Sequence, residues 1–430
     1  MLAKSEIEQI IALIKREVVP AIGCTEPVAV ALCVAKATET LGCRPEHIKV
    51  FLSANILKNA MGVGIPGTGM IGLPIAIALG SLIGKSEYEL EVLKDCNPEA
   101  VEAGKKMIDE NIISIDLKQD ITEKLYVEVI CEAGDNKAKA IIAGGHTHFI
   151  HVSRNEEVLF NEELKASGEQ ASEDVELNMK KVFEFATEAP LDEIRFILKA
   201  RDLNKAAAEY SKKGSYGHRL GKILSQPVEK LSLGNTAFAH VLSLTSAACD
   251  ARMGGAMVPV MSNSGSGNQG ITATLPVVGY AEDYNKTEDE LVRALTLSHL
   301  TVIYIKQSLG RLSALCGCVV AATGSSAGIT YLMGGNYNQV TYAIKNMVAN
   351  ITGMICDGAK PSCALKLTSA VSTAMLSAIL AMENETVTCV EGIVDDDVDK
   401  CIRNMTMIGA QGMNKTDELV LKIMTTKRCD

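Results

Sequence analysis

The chain has 430 residues, of which 47% are hydrophobic, 4% are aromatic and none is tryptophan, so its interior must be packed from small and aliphatic side chains. Its formal charge is −10 and it has no basic tract, which argues against a nucleic acid or an acidic membrane as partner, because phosphate binding requires clustered Lys and Arg. A chain of this length can form two or three domains with a large buried core.

Three features bear on where the protein resides. Residues 1–17 carry acids where a signal peptide would be basic. The uncharged stretches are broken by Gly, Pro, Asn or Ser, and their apolar cores are shorter than the ~20 residues of a spanning helix. Thirteen cysteines without an export signal indicate a reducing compartment. We therefore expect a cytoplasmic protein without disulfides or membrane spans.

The first two ranges of the chain differ in their pattern of apolar residues. Residues 1–45 predict two helices, the first ending before Pro20, because the residue before a proline avoids the helical conformation. Residues 46–170 contain four segments rich in β-branched and aromatic residues: IKVFLSANI, KLYVEVICEA, AKAIIAGG and HFIHVSR. These predict strands, with helices at about 70–84 and 97–110 between them.

The third range, 171–430, predicts a domain made of helices. It includes a long helix opened by a capping box, in which Thr287 and Glu290 each bond the other's backbone N–H. A charged linker, NEELKASGEQASED (161–174), precedes the helices. The predicted fold class is therefore α+β, with a large all-helical domain that includes the N-terminal helices and an inserted α/β domain at 46–170.

Four of the cysteines lie close together in the sequence. Cys316 and Cys318 lie in ALCGCVVAATG, and Cys356 and Cys363 lie in CDGAKPSC. Structural zinc usually has two C-x2-4-C pairs, whereas the pairs here are C-x-C and C-x6-C. A three-cysteine 4Fe-4S site with one open iron fits better, because Gly and Pro let irregular backbone wrap a cluster whose ligands are widely spaced. Four unliganded buried thiols are the alternative.

Cys24 stands at the entry of the second predicted helix, in VVPAIGCTEPVAVALCVAKA. Thr25 is the candidate N-cap and Pro27 suits the first turn, which places Cys24 just outside the helix N-terminus. The helix dipole favours an anion there and can lower the pKa of a thiol, whereas Glu26 would act in the opposite direction. Cys24 is therefore a candidate nucleophile or base, and a buried structural cysteine is the alternative.

The loop VPVMSNSGSGNQGI alternates Ser and Gly between two apolar runs. Backbone N–H groups and side-chain amides in such a loop can cradle a carboxylate or a phosphate. A solvated linker is the alternative, but the apolar flanks argue for a buried loop whose polar groups must be satisfied. We expect it to bind a small amino acid or hydroxy acid through Ser262, Asn263, Ser264, Ser266, Asn268 and Gln269.

The stretch GVGIPGTG in the first half matches the G-x-G-x-x-G pattern of dinucleotide-binding loops. Pro66 interrupts the turn, and no convincing ribose-binding acid follows about 20 residues on. A substrate-facing loop is predicted instead. It would act together with Ser53, Asn55, Lys58 and Asn59.

The stretch GGHTHFIH contributes a histidine candidate. His146 and His148 lie on the same face if this stretch is a strand, because side chains alternate with a period of two. Such a pair can bind zinc. We expect instead that His146 alone faces the ligand and that the other histidines are solvated.

Six stretches taken together resemble the L-cysteine desulfidase branch of the iron–sulfur L-serine dehydratase alpha-chain family. They are VVPAIGCTEP, SANILKNAMGVGIPGTG, AGGHTH, DARMGGAMVPVMSNSGSGNQGI, GRLSALCGCVVAATGSSAG and CDGAKPSCALK. The resemblance spans nearly the whole chain, and the motifs are specific in combination. It implies an oxygen-sensitive 4Fe-4S lyase that converts L-cysteine to pyruvate, ammonia and sulfide without pyridoxal phosphate.

The resemblance also implies roles for individual residues. Cys316, Cys356 and Cys363 would be the three cluster ligands, and the open iron would act as a Lewis acid toward the leaving thiolate. Cys24 would remove the α-proton. The N-terminal helices would pack on the helical catalytic domain, and the α/β domain would cover the site.

Several alternatives stay open from the sequence. An L-serine dehydratase with the same cluster chemistry, or a non-catalytic zinc- or sulfur-binding protein, would carry similar motifs. Cys318 is a possible further ligand. Cys429 in the tail KRCD could reach the fourth iron, although an exposed cysteine is the favoured interpretation. The composition also predicts apolar surface helices and hence a homodimer.

Overall fold

The computed structural model describes residues 2–119, 121, 123–163, 175–226, 236–310 and 312–427. A mixed sheet with helices occupies the part up to residue 163, and helices make up nearly all of the remainder. The predicted α+β class is therefore confirmed. The predicted linker at 161–174 lies largely outside the described residues.

The first part of the chain contains both helices and strands. Its helices are α1 (Lys4–Glu17), α2 (Thr25–Leu41), α3 (Ala54–Ala60), α4 (Leu73–Leu82) and α5 (Pro98–Asp109). Its strands are β1 (Pro20–Ile22), β2 (His47–Leu52), β3 (Ile113–Leu117), β4 (Tyr126–Ala133), β5 (Asn136–Ala143), β6 (Phe149–Arg154) and β7 (Glu157–Asn161). As predicted, α1 ends before Pro20.

The second part is built from helices and one short strand. The helices are α6 (Met179–Glu188), α7 (Leu191–Ile194), α8 (Leu198–Ser211), α9 (Leu220–Leu224), α10 (Ala237–Met253), α11 (Gly267–Asp283), α12 (Glu288–Leu309), α13 (Gly317–Leu332), α14 (Tyr337–Ile351), α15 (Cys363–Met382), α16 (Val398–Met407) and α17 (Asn414–Thr426). The strand is β8 (Pro259–Met261). The predicted capping box of Thr287 and Glu290 opens α12.

Six strands form one mixed sheet in the order β3-β2-β4-β5-β6-β7. Strands β2 and β3 are parallel and are joined by a crossover through α3, α4 and α5, whereas the other neighbours are antiparallel. Helix α2 packs against β4, β5 and α4, and its apolar residues belong to the core of this sheet. The arrangement differs from the expectation that both N-terminal helices pack on the helical domain. Only α1 does so, because Ile10 and Ile14 enter the helical core. The domain limits at 45 and 170 stay a prediction.

Close helix packing explains the small side chains of the second part. A Cβ at Gly324 would lie 2.5 Å from the carbonyl oxygen of Ser298, and one at Gly328 would lie 2.8 Å from that of Ala294. Both distances are shorter than real Cβ contacts, so α13 can approach α12 this closely only with glycine at these positions.

Helix α15 is long and apolar enough to cross a membrane by length and composition, with a mean hydropathy of 1.5, and no other helix in the described ranges is. It packs against α10, α13 and α14 with one face, and 44% of its apolar window is buried. A core helix passes the same test, so this property does not indicate a membrane span.

Two contacts join the first part of the chain to the helical body. Strand β1 pairs antiparallel with β8, with Pro20 opposite Met261. The GVGIPGTG loop also docks on the end of α10, where Gly64 N donates to the carbonyl oxygen of Met253 at 3.0 Å. A Cβ at Gly64 would lie 2.7 Å from the backbone of Gly255, so this glycine permits a close approach of two backbones. The loop was predicted to face substrate, but it forms this contact instead.

Three local predictions were wrong. The first predicted strand ends at Leu52, and its last residues begin α3. His146 and His148 lie in the turn between β5 and β6, because Gly144, in the left-handed region at φ 75°, ends β5. Cys24, not Thr25, is the N-cap of α2.

Candidate active site

The thiols predicted to act together line one cavity of about 100 Å³. Its wall includes Cys316, Cys318, Cys356 and Cys363, and Cys24 from the entry of α2. Other side chains in the wall are Glu26, Asn59, Arg252, Ser266, Asn268, Gln269 and Lys306. The thiols thus come from segments separated by more than 300 positions in the chain, and they meet at the contact between the two parts of the fold.

A short backbone pairing brings the two cysteine segments together. Cys316 N donates to the carbonyl oxygen of Met354 at 3.0 Å, and Cys356 N donates to that of Ala314 at 2.7 Å. Cys316 is the N-cap of α13, and Cys363 is the first residue of α15. Two of the three predicted ligands therefore stand at helix N-termini, where the dipole stabilises a thiolate.

The thiols differ in how readily they ionise. Hydrogen bonding from Cys318 lowers the pKa of Cys316 to about 7, against the opposing effect of burial. The same contact raises the pKa of Cys318 well above its ordinary value. Burial raises the pKa of Cys356 to about 11 and also raises that of Cys363. Cys316 is the most acidic of these four thiols.

The donor set consists of four thiols around one cavity, which is the chemistry that iron–sulfur clusters require. No group of three or more His, Cys, Asp or Glu side chains in the described ranges stands close enough to hold one ion. Thiolates select iron–sulfur clusters, and a cluster spreads its ligands over several ångströms. The backbone also wraps the cavity closely, since Gly358 at φ 88° would place a Cβ 2.2 Å from the carbonyl oxygen of Lys58. The residues therefore fit such a group.

Cys24 is buried at the cavity wall and donates a hydrogen bond of 2.9 Å from Sγ to Oε2 of Glu26. From the sequence, the helix dipole and Glu26 were expected to act on its pKa in opposite directions. Burial raises the pKa of Cys24 well above its ordinary value, and the Glu26 carboxylate adds to this while Arg252 opposes it. The expected direction for Glu26 is therefore confirmed, and the desolvation of a fully buried thiol outweighs the dipole at the helix end.

Glu26 connects several site residues, although it was not predicted as a site residue. Asn59 Nδ2 donates to its Oε1 at 3.0 Å, and Thr25 Oγ1 lies 3.0 Å from its Oε2. Burial opposes its ionisation, but the charge of His146, the Cys24 thiol and Arg252 together hold the pKa of Glu26 below its ordinary value. Glu26 is therefore a carboxylate in this site.

Arg252 is a second residue that sequence reasoning missed. It is 2% exposed and lines the cavity, with Nε donating to the carbonyl oxygen of Gly23 at 3.1 Å and Nη1 donating to Oδ1 of Asn268 at 2.9 Å. Gly267 makes room for it, because a Cβ there would lie 2.3 Å from its Nε. The signal was present in the motif DARMGGAM, where Asp250 and Arg252 stand in an otherwise apolar run.

The Ser-Gly-Asn loop divides between the cavity and the core. Ser266, Asn268 and Gln269 line the cavity, and their contact with substrate stays a prediction. Asn263 does not, because Nδ2 donates to Nδ1 of the buried His299 at 3.0 Å. Ser262 and Ser264 also form hydrogen bonds within the protein.

The remaining serines of this loop hold it against the N-terminal segment. Ser262 Oγ donates to the carbonyl oxygen of Val19 at 2.6 Å, and Ser264 N donates to that of Glu17 at 2.9 Å. Ser264 Oγ donates to Oδ1 of Asn263 at 2.8 Å. These contacts continue the pairing of β1 with β8, so they position Cys24 relative to the loop. The hydroxyl groups of Ser262 and Ser264 are used in these hydrogen bonds.

Two further predicted substrate contacts lie outside the cavity wall. Lys58 is buried in an ion pair with Asp417 of α17, and Asn55 Nδ2 donates to Oδ2 of the same carboxylate at 2.7 Å. Lys58 also donates to the carbonyl oxygen of Cys356 at 3.4 Å. Both residues therefore brace the cysteine segment. Cys429 lies outside the described residues.

His146 lies at a second cavity of about 300 Å³. This cavity also contacts Arg16, His148, Thr25 and Ser262. Arg16 and Gly144 in its wall are exposed, so it reaches the surface. His146 itself is 8% exposed. It is a wall residue of the second cavity, and its charge acts on Glu26.

Comparison with known proteins assigns the family. The sequence profile of the family described as "Serine dehydratase alpha chain" matches residues 87–422. The chain belongs to the serine dehydratase alpha chain family. It is a dehydratase-like lyase of an iron–sulfur-dependent family. The matched range contains Cys316, Cys356 and Cys363, whereas Cys24 precedes it.

Relatives match over the full length. A "UPF0597 protein" of Phocaeicola vulgatus is 72% identical over 431 residues, covering 100% of both chains. One of Bacteroides fragilis is 70% identical, again over 100% of both chains. One of Oleidesulfovibrio alaskensis is 46% identical over 99% of both. These names assign no substrate, so the family supports the lyase class and leaves the leaving group open.

Proposed function

We propose that this serine dehydratase family member is an L-cysteine desulfidase, which converts L-cysteine to pyruvate, ammonia and sulfide by α-proton abstraction and β-elimination. The observation that carries the proposal is the single cavity shared by Cys24, Arg252 and the three cysteines Cys316, Cys356 and Cys363. The thiol proposed as base, the arginine proposed to bind the carboxylate and the three proposed cluster ligands thus line one cavity.

The three cysteines would hold a 4Fe-4S cluster, and Cys318 is the further thiol within reach of the same cavity. When bound, such a cluster with one open iron supplies a Lewis acid for a leaving thiolate. The remaining roles belong to side chains. Arg252, buried and presented by Gly267, supports binding of the substrate carboxylate through a fork of N–H donors.

Cys24 serves as the base in this proposal. Its thiolate takes the α-proton, and the S–H bond that forms leaves Cys24 neutral. Asn59, Asn268 and Gln269 line the same space and orient the amino acid. Burial of the cavity keeps water from the carbanion character that develops at Cα, which favours elimination over return of a solvent proton.

An L-serine dehydratase is the second candidate, because the family profile carries that name. Thiolate is the better ligand for iron, which favours cysteine. A zinc-binding protein without activity is a third possibility that the spacing of the thiols argues against. We place the protein in the cytoplasm, where thiols stay reduced, and the homodimer stays a prediction.

A substrate comparison tests the proposal. Protein purified without oxygen and reconstituted with iron and sulfide is given L-cysteine or L-serine, and sulfide and pyruvate are measured. The proposal requires faster pyruvate release from cysteine with an equal amount of sulfide. Faster turnover of serine would identify the dehydratase, and no turnover of either amino acid would reject both.

A further inference from the structure

Three side chains form a row between the thiol cavity and the second cavity. Cys24 Sγ donates to Glu26 Oε2 at 2.9 Å, and Glu26 lines the thiol cavity. The charge of His146 lowers the pKa of Glu26, and His146 lines the second cavity, which opens to the surface beside Arg16. The row therefore connects a buried thiol to solvent through two titratable groups.

The reaction assigned to Cys24 requires such a connection. Each turnover leaves the α-proton on Sγ, and this proton must depart before Cys24 can act again. Cys24 is 2% exposed, so bulk water does not reach it directly. Glu26 is the carboxylate that accepts the hydrogen bond of the thiol, so it is the first acceptor on the way out.

We propose that Glu26 and His146 form a proton relay that resets Cys24 after each turnover, with the second cavity as its exit. The S–H bond of Cys24 breaks as an O–H bond forms at Glu26 Oε2. His146, whose positive charge stabilises the Glu26 carboxylate, first releases its proton to water in the second cavity, and the neutral imidazole then takes the proton from Glu26 and becomes an imidazolium again. No oxidant or reductant is involved. The inference rests on the proposed base role of Cys24.

The charges around the row suit this path. Glu26 faces the Cys24 thiol, His146 and Arg252, and Asn59 and Thr25 hold its two oxygens in place. Cys24 faces Glu26 and Arg252. The second cavity adds the charged or titratable groups Arg16, Glu17 and His148. Buried Arg252 stabilises a thiolate at Cys24, while His146 stabilises the Glu26 carboxylate that receives the proton.

A purely electrostatic role for Glu26 predicts a different result. Its carboxylate repels the Cys24 thiolate and so raises the pKa of that thiol. Removing the charge in Glu26→Gln should therefore make Cys24 more reactive toward an alkylating agent. If repulsion were the whole effect, turnover would also rise. A relay instead predicts opposite signs, because the variant has a more reactive thiol but no acceptor for its proton.

The first measurement uses protein without the cluster. Alkylation of Cys24 by iodoacetamide is followed across a range of pH by peptide-resolved mass spectrometry. We expect the midpoint of the Cys24 profile to fall to lower pH in Glu26→Gln and to stay unchanged in His148→Gln. His148 is the matched control because it lines the same cavity and binds the carbonyl oxygen of Ala143. An unchanged midpoint in Glu26→Gln would show that the carboxylate is not coupled to Cys24 and would overturn the relay.

The second measurement uses the reconstituted enzyme. Turnover of L-cysteine should fall about 10²-fold or more in Glu26→Gln and in His146→Ala, in the range of general acid–base contributions. Added imidazole should restore His146→Ala in a saturable way, because the second cavity of about 300 Å³ admits it. Rescue also shows that the variant is folded. His148→Ala should keep wild-type turnover, and added imidazole should not change it.

The outcomes separate the relay from the proposed function. Full turnover in His146→Ala, or a loss that imidazole does not restore, would overturn the relay while the lyase stands. A rise in both alkylation and turnover in Glu26→Gln would also overturn it. Wild-type protein that turns over no amino acid would reject the proposed function, and the alkylation profile would still report whether Glu26 and Cys24 are coupled.

Discussion

Lys58 and Asp417 form a buried ion pair that ties the last described helix to the cysteine segment. Lys58 is 1% exposed, and it also donates to the carbonyl oxygen of Cys356 at 3.4 Å. The pair therefore couples α17, α3 and one predicted cluster ligand. A lysine buried to this degree is tolerated only with a charged partner.

Asp417→Asn should destabilise the protein by about 3 kcal/mol, since it leaves a buried ammonium without its counter-charge. Urea unfolding measures the loss of free energy. Glu418→Gln is the matched control, because Glu418 is the exposed neighbour on the same helix. Adding Lys58→Met to Asp417→Asn should recover part of the loss, and a double variant no more stable than Asp417→Asn would contradict this account.

Cys24→Ala should reduce turnover of L-cysteine at least about 10²-fold while leaving the absorption of the bound cluster unchanged. The reason is that the base is lost but no predicted ligand is. Cys33→Ala removes a second buried thiol of α2, one that donates to the carbonyl oxygen of Ala140 at 3.3 Å, and should keep activity. A fully active Cys24→Ala protein would exclude Cys24 as the base.

Arg252→Lys should raise the KM for L-cysteine about tenfold to a hundredfold with a smaller change in kcat, because a charge-assisted fork to the substrate carboxylate contributes about 1.5–3 kcal/mol. Arg293→Lys is the control, since Arg293 binds the carbonyl oxygens of Ala186 and Ala189 away from the cavity. Steady-state kinetics separates the two constants. A KM equal to that of the wild type would remove Arg252 from substrate binding.

His299 should make stability fall as the pH falls below about 6.5. Burial lowers the pKa of His299 to about 3, whereas the unfolded chain protonates it near its ordinary value of 6.5. Its contribution is therefore fully present above 6.5 and is lost as the pH falls toward 3, by up to about 1.4 kcal/mol per pH unit. The free energy of unfolding, measured at pH 7 to 4, should change less steeply in His299→Gln than in wild type.

The control for this pH dependence is His240→Gln. His240 is half-exposed and lies 3.0 Å from the Asp283 carboxylate. Because it is not buried, His240→Gln should leave the slope of the unfolding free energy against pH close to that of wild type. Equal slopes of unfolding free energy against pH in wild type and His299→Gln would show that His299 has the same pKa in the folded and the unfolded protein.

Local patterns in the sequence predicted much of the fold and which cysteines line the thiol cavity. The helical spacing in α1 and the capping box of α12 are short-range signals, and Cys316 and Cys356, 40 positions apart, stand out by their local sequence. The family profile then agreed with the lyase class. These features depend on neighbouring residues, which a single sequence displays directly.

Other features depended on long-range contacts that no local pattern shows. Lys58 was predicted to meet substrate, and only the position of α17 reveals its pairing with Asp417. Glu26 was noted only as a neighbour that raises the pKa of Cys24, because its electrostatic interaction with His146 joins segments 120 positions apart in the chain. Arg252 became a candidate only once its burial at the cavity was known. The net direction of the Cys24 pKa also depends on long-range contacts, because burial is its largest cause.

The most direct test of the central claim is an iron and acid-labile sulfide count with an absorption spectrum, on protein purified without oxygen, before and after addition of L-cysteine. The account predicts about four irons per chain and a broad band near ~400 nm that changes when L-cysteine is added, with release of sulfide and pyruvate. Colourless protein that contains zinc and takes up no iron on reconstitution would contradict it, and Cys316, Cys356 and Cys363 would then be structural thiols.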